Sequence, residues 1–172
     1  MRLTAALAAL MLSALLGGCY PDLDWREVRA DDGAYVVLFP AKPRAEARTL
    51  GGEHAGVLMQ QSSAKVRDTL FAVNFMDFPQ LDGAVASGLR EALLRNINGI
   101  ITAERDLEEG ARETAADGLI GGTPARLRLR EYRRGGRLYQ VIVLGKRDDV
   151  SAEDLDTFFT SFKLLPHPVL LL

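Results

Sequence analysis

Residues 125–145 read Ala125-Arg126-Leu127-Arg128-Leu129-Arg130-Glu131-Tyr132-Arg133-Arg134-Gly135-Gly136-Arg137-Leu138-Tyr139-Gln140-Val141-Ile142-Val143-Leu144-Gly145. Two runs rich in strand-forming residues flank a glycine pair, which is a strong local signal for a β-hairpin. A two-residue type I′ turn asks for positive φ at both central positions, and two glycines meet that without steric cost. Such a turn fixes the register, so paired residue numbers sum to 271. Leu127 then faces Leu144, and Leu129 faces Ile142, on one side of the hairpin. Arg128 faces Val143, Arg130 faces Val141 and Tyr132 faces Tyr139 on the other.

Outward from this hairpin, the chain before it alternates between strand and helix patterns. Residues 100–107 and 114–120 predict strands, with a charged turn at 108–113 between them and a loop over Gly121-Gly122-Thr123-Pro124. Further upstream, Leu81, Val85, Leu89 and Leu93 recur every four residues, with Ala92 and Ile97 broadening the stripe, which predicts a core-facing helix over 82–98. Asp82 suits its N-cap and Gly99 its termination. Residues 57–65 and 69–78 predict a second hairpin. Phe71, Val73 and Phe75 share one face of its second arm while Leu70, Ala72 and Met76 share the other, so that strand is covered on both sides. Strands are also expected at 25–29, 34–39 and 47–50. After the central hairpin, Ser151 and Asp154 open a last helix whose stripe is Leu155, Phe158, Phe159 and Phe162, and 163–165 adds a short strand. The apolar end of the chain, Val169 to Leu172, is expected to dock in a groove. The sum is an α+β fold: a mostly antiparallel sheet of about seven strands with two main helices packed on it.

The N-terminal stretch has a different character. Arg2 precedes an apolar run from Leu3 to Leu16, which at about 14 residues falls short of the ~20 that a bilayer-spanning helix needs. With small residues following it, this is the pattern of a secretory signal. Leu16-Gly17-Gly18-Cys19 resembles the lipobox of bacterial lipoproteins, in which the cysteine is lipidated and becomes the first residue of the mature protein. Cys19 is the single cysteine in the chain, and a lone cysteine in an exported protein has no internal disulfide partner. The expected organisation is a signal over 1–18, a lipidated tether over 19–24 and one domain over 25–172. Tyr20 stands where an Asp retains enteric lipoproteins in the inner membrane. The expected location is therefore the periplasmic side of the outer membrane in a two-membrane cell, and otherwise the cell-surface membrane. Removal of residues 1–18 from the 172 leaves 154, and the loss of Arg2 takes the formal charge from −2 to −3. So balanced a charge argues against a nucleic-acid partner.

Several pieces together resemble a family of bacterial exported proteins with the Mog1/PsbP-like α/β sandwich. They are Phe39-Pro40-Ala41-Lys42-Pro43, Asp77-Phe78-Pro79, Gly121-Gly122-Thr123-Pro124-Ala125-Arg126, Arg137-Leu138-Tyr139 and Phe158-Phe159-Thr160-Ser161-Phe162. Better-known members of that fold are non-enzymatic partners, one assisting a small GTPase and another serving as an extrinsic photosystem subunit. The resemblance implies the fold; no residue here matches those functional surfaces.

Catalytic and metal-binding patterns are absent from the sequence. The two histidines, His54 and His167, lie far apart, and the acidic run around Asp148, Asp149, Glu153, Asp154 and Asp156 lacks the glycine of a calcium loop. No G-x-S-x-G elbow, G-x-G-x-x-G or Walker pattern occurs. No enzyme activity, metal or cofactor is therefore expected. The most unusual feature is the alternation of Arg126, Arg128 and Arg130, which places three guanidinium groups on one face of a strand. Such a face can receive a carboxylate, a phosphate or an anionic headgroup, or its arginines can lie over apolar sheet paired with nearby carboxylates. With Tyr132 and Tyr139 it forms the candidate binding patch. The expected role is a membrane-anchored extracytoplasmic lipoprotein, held to the membrane by its N-terminal lipid, that serves an envelope protein partner without catalysis. The alternatives are a lipoprotein binding a small anionic ligand, which would need a pocket of a few hundred Å³ beside Arg126 and Arg128, and a hydrolase.

Overall fold

The computed structural model describes residues 23–146 and 149–166. Among these, ten strands and two α-helices follow in the order β1 (Arg26–Ala30), β2 (Tyr35–Phe39), β3 (Arg44–Thr49), β4 (Leu58–Val66), β5 (Thr69–Asp77), α1 (Gly83–Asn96), β6 (Ile100–Asp106), β7 (Arg112–Ile120), β8 (Thr123–Arg134), β9 (Arg137–Gly145), α2 (Ala152–Ser161) and β10 (Lys163–Leu164). The signal segment, Cys19, His167 and the apolar end of the chain lie outside the described residues.

Seven strands form one antiparallel sheet in the order β3-β4-β5-β9-β8-β7-β6, and β1-β2-β10 form a second, smaller one. This is the α+β architecture expected, with the first two strands and the last set apart in a sheet of their own. The β8–β9 register is the expected one, including Leu127 opposite Leu144, Arg130 opposite Val141 and Tyr132 opposite Tyr139. Its turn differs from expectation: Gly135 has φ of 58°, but Gly136 is not in the positive region. That is the requirement of a type II′ turn. A Cβ on Gly136 would meet the Phe78 carbonyl oxygen at 2.5 Å, so the second glycine is needed for close approach.

The expected loop over 121–124 is instead a two-residue turn. Gly121 and Gly122 have φ of 56° and 83°, and Thr123 and Pro124 already belong to β8, opposite Ile120 and Leu119. Proline is tolerated there because β9 ends at Gly145 opposite Arg126, so at Pro124 the strand has a neighbour on one side alone. The strand expected at 47–50 lies earlier, at Arg44–Thr49.

Helix α1 starts as expected, with the Val85 N–H donating to Asp82 Oδ1 at 2.9 Å. Its end is made by Asn98 rather than Gly99: Asn98 has φ of 48°. The Asn98 N–H bonds the Arg95 carbonyl at 3.2 Å and the Gly99 N–H bonds the Leu94 carbonyl at 2.8 Å. This is a Schellman closure with asparagine in the left-handed position. The most deeply buried helical positions are Ala86 and Leu94, with Leu81, Val85, Leu89 and Leu93 half-buried around them. Helix α2 is capped by Ser151, whose oxygen accepts from the Asp154 N–H at 3.0 Å. Phe158, Phe159 and Phe162 are buried as the stripe predicts.

Each face of the large sheet carries its own core. On one face, α2 and the small sheet cover Phe71, Val73, Phe75, Val141 and Val143. On the other, α1 covers two apolar clusters, one around Leu127, Leu129 and Ile142 and one around Met59, Met76 and Leu138. A transverse polar row separates them, running Glu131, Gln140, Asn74, Gln61 across four strands. The Gln61 amide donates to Asn74 Oδ1 at 2.7 Å, the Gln140 amide to Glu131 Oε1 at 3.1 Å, and Arg90 of α1 to Glu131 Oε2 at 2.6 Å. Buried polar groups must be satisfied in this way to avoid their desolvation cost.

Candidate functional site

The cover on the α2 face reaches the middle strands and leaves both flanks of the sheet open. One flank is the expected arginine face. Register sets its geometry: Arg105 of β6 lies opposite Glu113 of β7, and Glu113 lies opposite Arg130 of β8. Arg130 Nε sits 2.6 Å from Glu113 Oε2, Arg105 2.9 Å from Oε1, and Arg128 3.9 Å from the same oxygen. Four residues along the same strand pair, Arg126 lies directly opposite Asp117 and donates to it at 2.8 Å and 3.4 Å.

Glu113 is buried. Burial pushes its carboxyl up, but the hydrogen bond and charge of Arg130, with those of Arg105, outweigh it and hold the group below its ordinary value. The Arg130 guanidinium also lies 4.7 Å from the centre of the Phe159 ring of α2, a cation–π contact that fixes its plane. Arg128 is held less completely, since its Nε is buried without a hydrogen-bond partner.

Between these arginines and α2 lies a cleft of about 170 Å³, lined by Arg105, Glu113, Arg128 and Arg130 on the sheet side and by Asp156 and Phe159 on the helix side. Three guanidinium groups there face two carboxylates. The space beside Arg126 is smaller still, about 20 Å³. Neither reaches the few hundred Å³ that a whole small ligand would need, so the arrangement is sized for one anionic group. The nearby carboxylates that pair with these arginines are Glu113 and Asp117, because cross-strand neighbours lie closest. Glu131 itself points to the α1 face and pairs with Arg90.

The two tyrosines of the expected patch are corrected. Tyr139 is 1% exposed and belongs to the core beneath the small sheet. Tyr132 is half-buried, stacked at 4.9 Å on Phe162. Burial thus removes Tyr139 from the patch, while Tyr132 keeps part of its surface beside the arginines. Glu113, Asp117 and Arg105 were not in the expected set.

Among the described residues no group of three or more His, Cys, Asp or Glu is placed to hold a metal ion, and no helix is long and apolar enough to cross a membrane. Comparison with models of known protein families and with curated proteins finds no match to either.

Proposed function

We propose that this chain is a lipid-anchored extracytoplasmic protein with a non-catalytic binding or accessory role, whose α+β domain docks an anionic group of an envelope protein in the arginine cleft. The observation that carries the docking reading is the convergence of Arg105, Arg128 and Arg130 on the single buried carboxylate of Glu113. Arginine presents a planar fork that matches a carboxylate or phosphate, and Arg128, at 3.9 Å from Glu113 and partly exposed, is the loosest paired of the three. A cleft of about 170 Å³ favours one carboxylate of a protein partner over the alternative of a complete small anionic ligand. The anchor reading rests on Leu16-Gly17-Gly18-Cys19.

Two measurements test this. Intact mass of the membrane-fraction protein is expected to start at Cys19 with acyl groups attached, and Cys19→Ser is expected to lose them. A soluble product cleaved elsewhere would remove the anchor. Crosslinking in intact envelopes is expected to yield a defined adduct that Arg128→Glu diminishes. An adduct pattern identical in both proteins would end the docking reading.

A further inference from the structure

The seven-stranded sheet has two free edges, β6 and β3, and they differ in kind. At β6 the ladder is interrupted by a bulge between Ile101 and Ala103, which blunts an edge. Its charged side chains are also engaged already: Glu104 by Thr114, Arg105 by Glu113 and Asp106 by Arg112. At the other edge, β3 pairs with β4 in one unbroken register from Arg44 opposite Ser63 to Thr49 opposite Leu58, and all six of its residues are exposed. Among the described residues, none gives a side-chain hydrogen bond or ion pair to Arg44, Glu46 or Arg48.

The direction of the β3 backbone follows from the end of its hairpin. The Leu50 N–H donates to the Val57 carbonyl at 2.8 Å, so residue 50 turns its backbone groups toward β4. Every second residue of an antiparallel pair does the same. Arg44, Glu46 and Arg48 therefore spend their backbone groups on β4, while Ala45, Ala47 and Thr49 present theirs at the free edge. Side chains alternate as well. Arg44, Glu46 and Arg48 lie on the α1 face with Gln61 and Asn74, and Ala45 and Ala47 lie on the small-sheet face with Ser62 and Val73.

Charged side chains ordinarily guard a free edge against pairing. The order Arg44-Ala45-Glu46-Ala47-Arg48 is instead complementary to itself. When two such strands run antiparallel about a two-fold axis at Ala47, Ala47 meets Ala47, Ala45 meets Thr49 and Glu46 meets Arg48 twice. The edge-facing backbone groups of 45, 47 and 49 all find partners. The two Glu46–Arg48 pairs fall at non-hydrogen-bonded positions, where opposed side chains approach most closely. Neighbouring axes are worse. An axis at Ala45 sets Ala47 against Pro43, which has no N–H to give. An axis at Glu46 sets Glu46 on Glu46 and Arg44 on Arg48.

We propose that β3 is a homodimer interface, on which a second copy of this chain pairs antiparallel about Ala47 and joins the two large sheets edge to edge. The arginine cleft lies at the far side of the sheet and is independent of it. Cys19 is the single native cysteine, so in a Cys19→Ser background a cysteine at position 47 can crosslink only to its counterpart in a second copy. Cα atoms of a hydrogen-bonded pair lie about 5.5 Å apart, within disulfide reach. With diamide as oxidant and the full chain in detergent, Ala47→Cys is expected to give a disulfide-linked dimer. Ala45→Cys, whose opposite residue is Thr49, is not. In sedimentation of the full chain, Glu46→Arg is expected to weaken association about tenfold by setting like charges opposite. Combining it with Arg48→Glu is expected to restore association. All these positions are exposed, so the variants keep the fold. No crosslink at 47, as when β3 takes an extended segment of a different protein, overturns the proposal. Equal crosslinking at 45 and 47, the mark of random contact in a shared micelle, overturns it too, as does a charge-exchanged double variant that stays dissociated.

Discussion

Glu113 shows how one residue can couple stability to the candidate site. Its carboxyl is held below the ordinary value of 4.5 by Arg130 and Arg105, so the folded state favours the ionised form. That contribution is in place above the unfolded-state pKa and is lost as pH falls through the lower folded-state value. Glu113→Gln is therefore expected to flatten the acid limb of a stability–pH profile below about pH 4.5. At neutral pH it would cost about 2–3 kcal/mol, less than the loss of a partner from a fully enclosed pair because Arg105 is largely exposed. Urea melts at pH 3 to 7 check both parts, and an unchanged acid limb would show that another carboxylate controls it. Asn98 makes a backbone case. At φ of 48° a side chain with a Cβ carries strain that asparagine tolerates and glycine avoids. Asn98→Ala is expected to lower stability by about 1 kcal/mol and Asn98→Gly to leave it within about 0.5 kcal/mol. The same melts decide, and equal losses for both would mean the Asn98 side chain, not its φ, holds the helix end.

At the scale of elements, the turn at Gly121-Gly122 positions the candidate site. Both residues have positive φ, and the β7–β8 register they impose places Glu113 against Arg130 and Asp117 against Arg126. Replacement by Asn-Gly suits the same turn and is expected to be nearly neutral. Ala-Ala puts two Cβ atoms in the left-handed region and is expected to cost about 2–4 kcal/mol, read as a drop in the denaturation midpoint; tolerance of Ala-Ala would mean the turn does not set the register. This turn also marks the limit of what the sequence discloses. The glycine pair at 135–136 sits between two runs of strand formers, so its hairpin and its pairing are legible residue by residue. The pair at 121–122 is followed by Thr123-Pro124, which reads as a loop because a proline is excluded from central strands. Only the position where β9 ends makes that proline acceptable, and this is a fact of topology. Had the pair been read as a turn, the register alone would have named Glu113 and Asp117 as the arginines' partners. The fate of Tyr139 was hidden for a similar reason: hairpin register tells which face a residue takes but not which element covers that face.

Across the whole molecule, β5 and β9 carry a core on each face, and one ring ties the layers together. Phe158 of α2 lies 5.5 Å from Phe39 of the small sheet and 5.2 Å from Phe71 of the large one, and it is fully buried. Trp25, the single tryptophan of the chain, sits at the start of the small sheet with its ring 6.4 Å from Phe71. Its fluorescence therefore reports whether the small sheet is seated on the large one, while far-UV circular dichroism is weighted towards the larger sheet and the helices. If the layers form one cooperative unit, the two signals share one denaturation transition. Phe158→Ala removes the bridging ring and is expected to lower both midpoints together, with a stability loss of about 3–5 kcal/mol. A different result would follow if the small sheet were an independently stable cover. Trp25 fluorescence would then be lost at lower denaturant while the circular dichroism transition stayed near its wild-type position. That separation would make the small sheet a detachable layer. Because this layer helps cover Phe71, Val73 and Val141, its detachment would bare that core face while leaving the arginine row across β6, β7 and β8 in place.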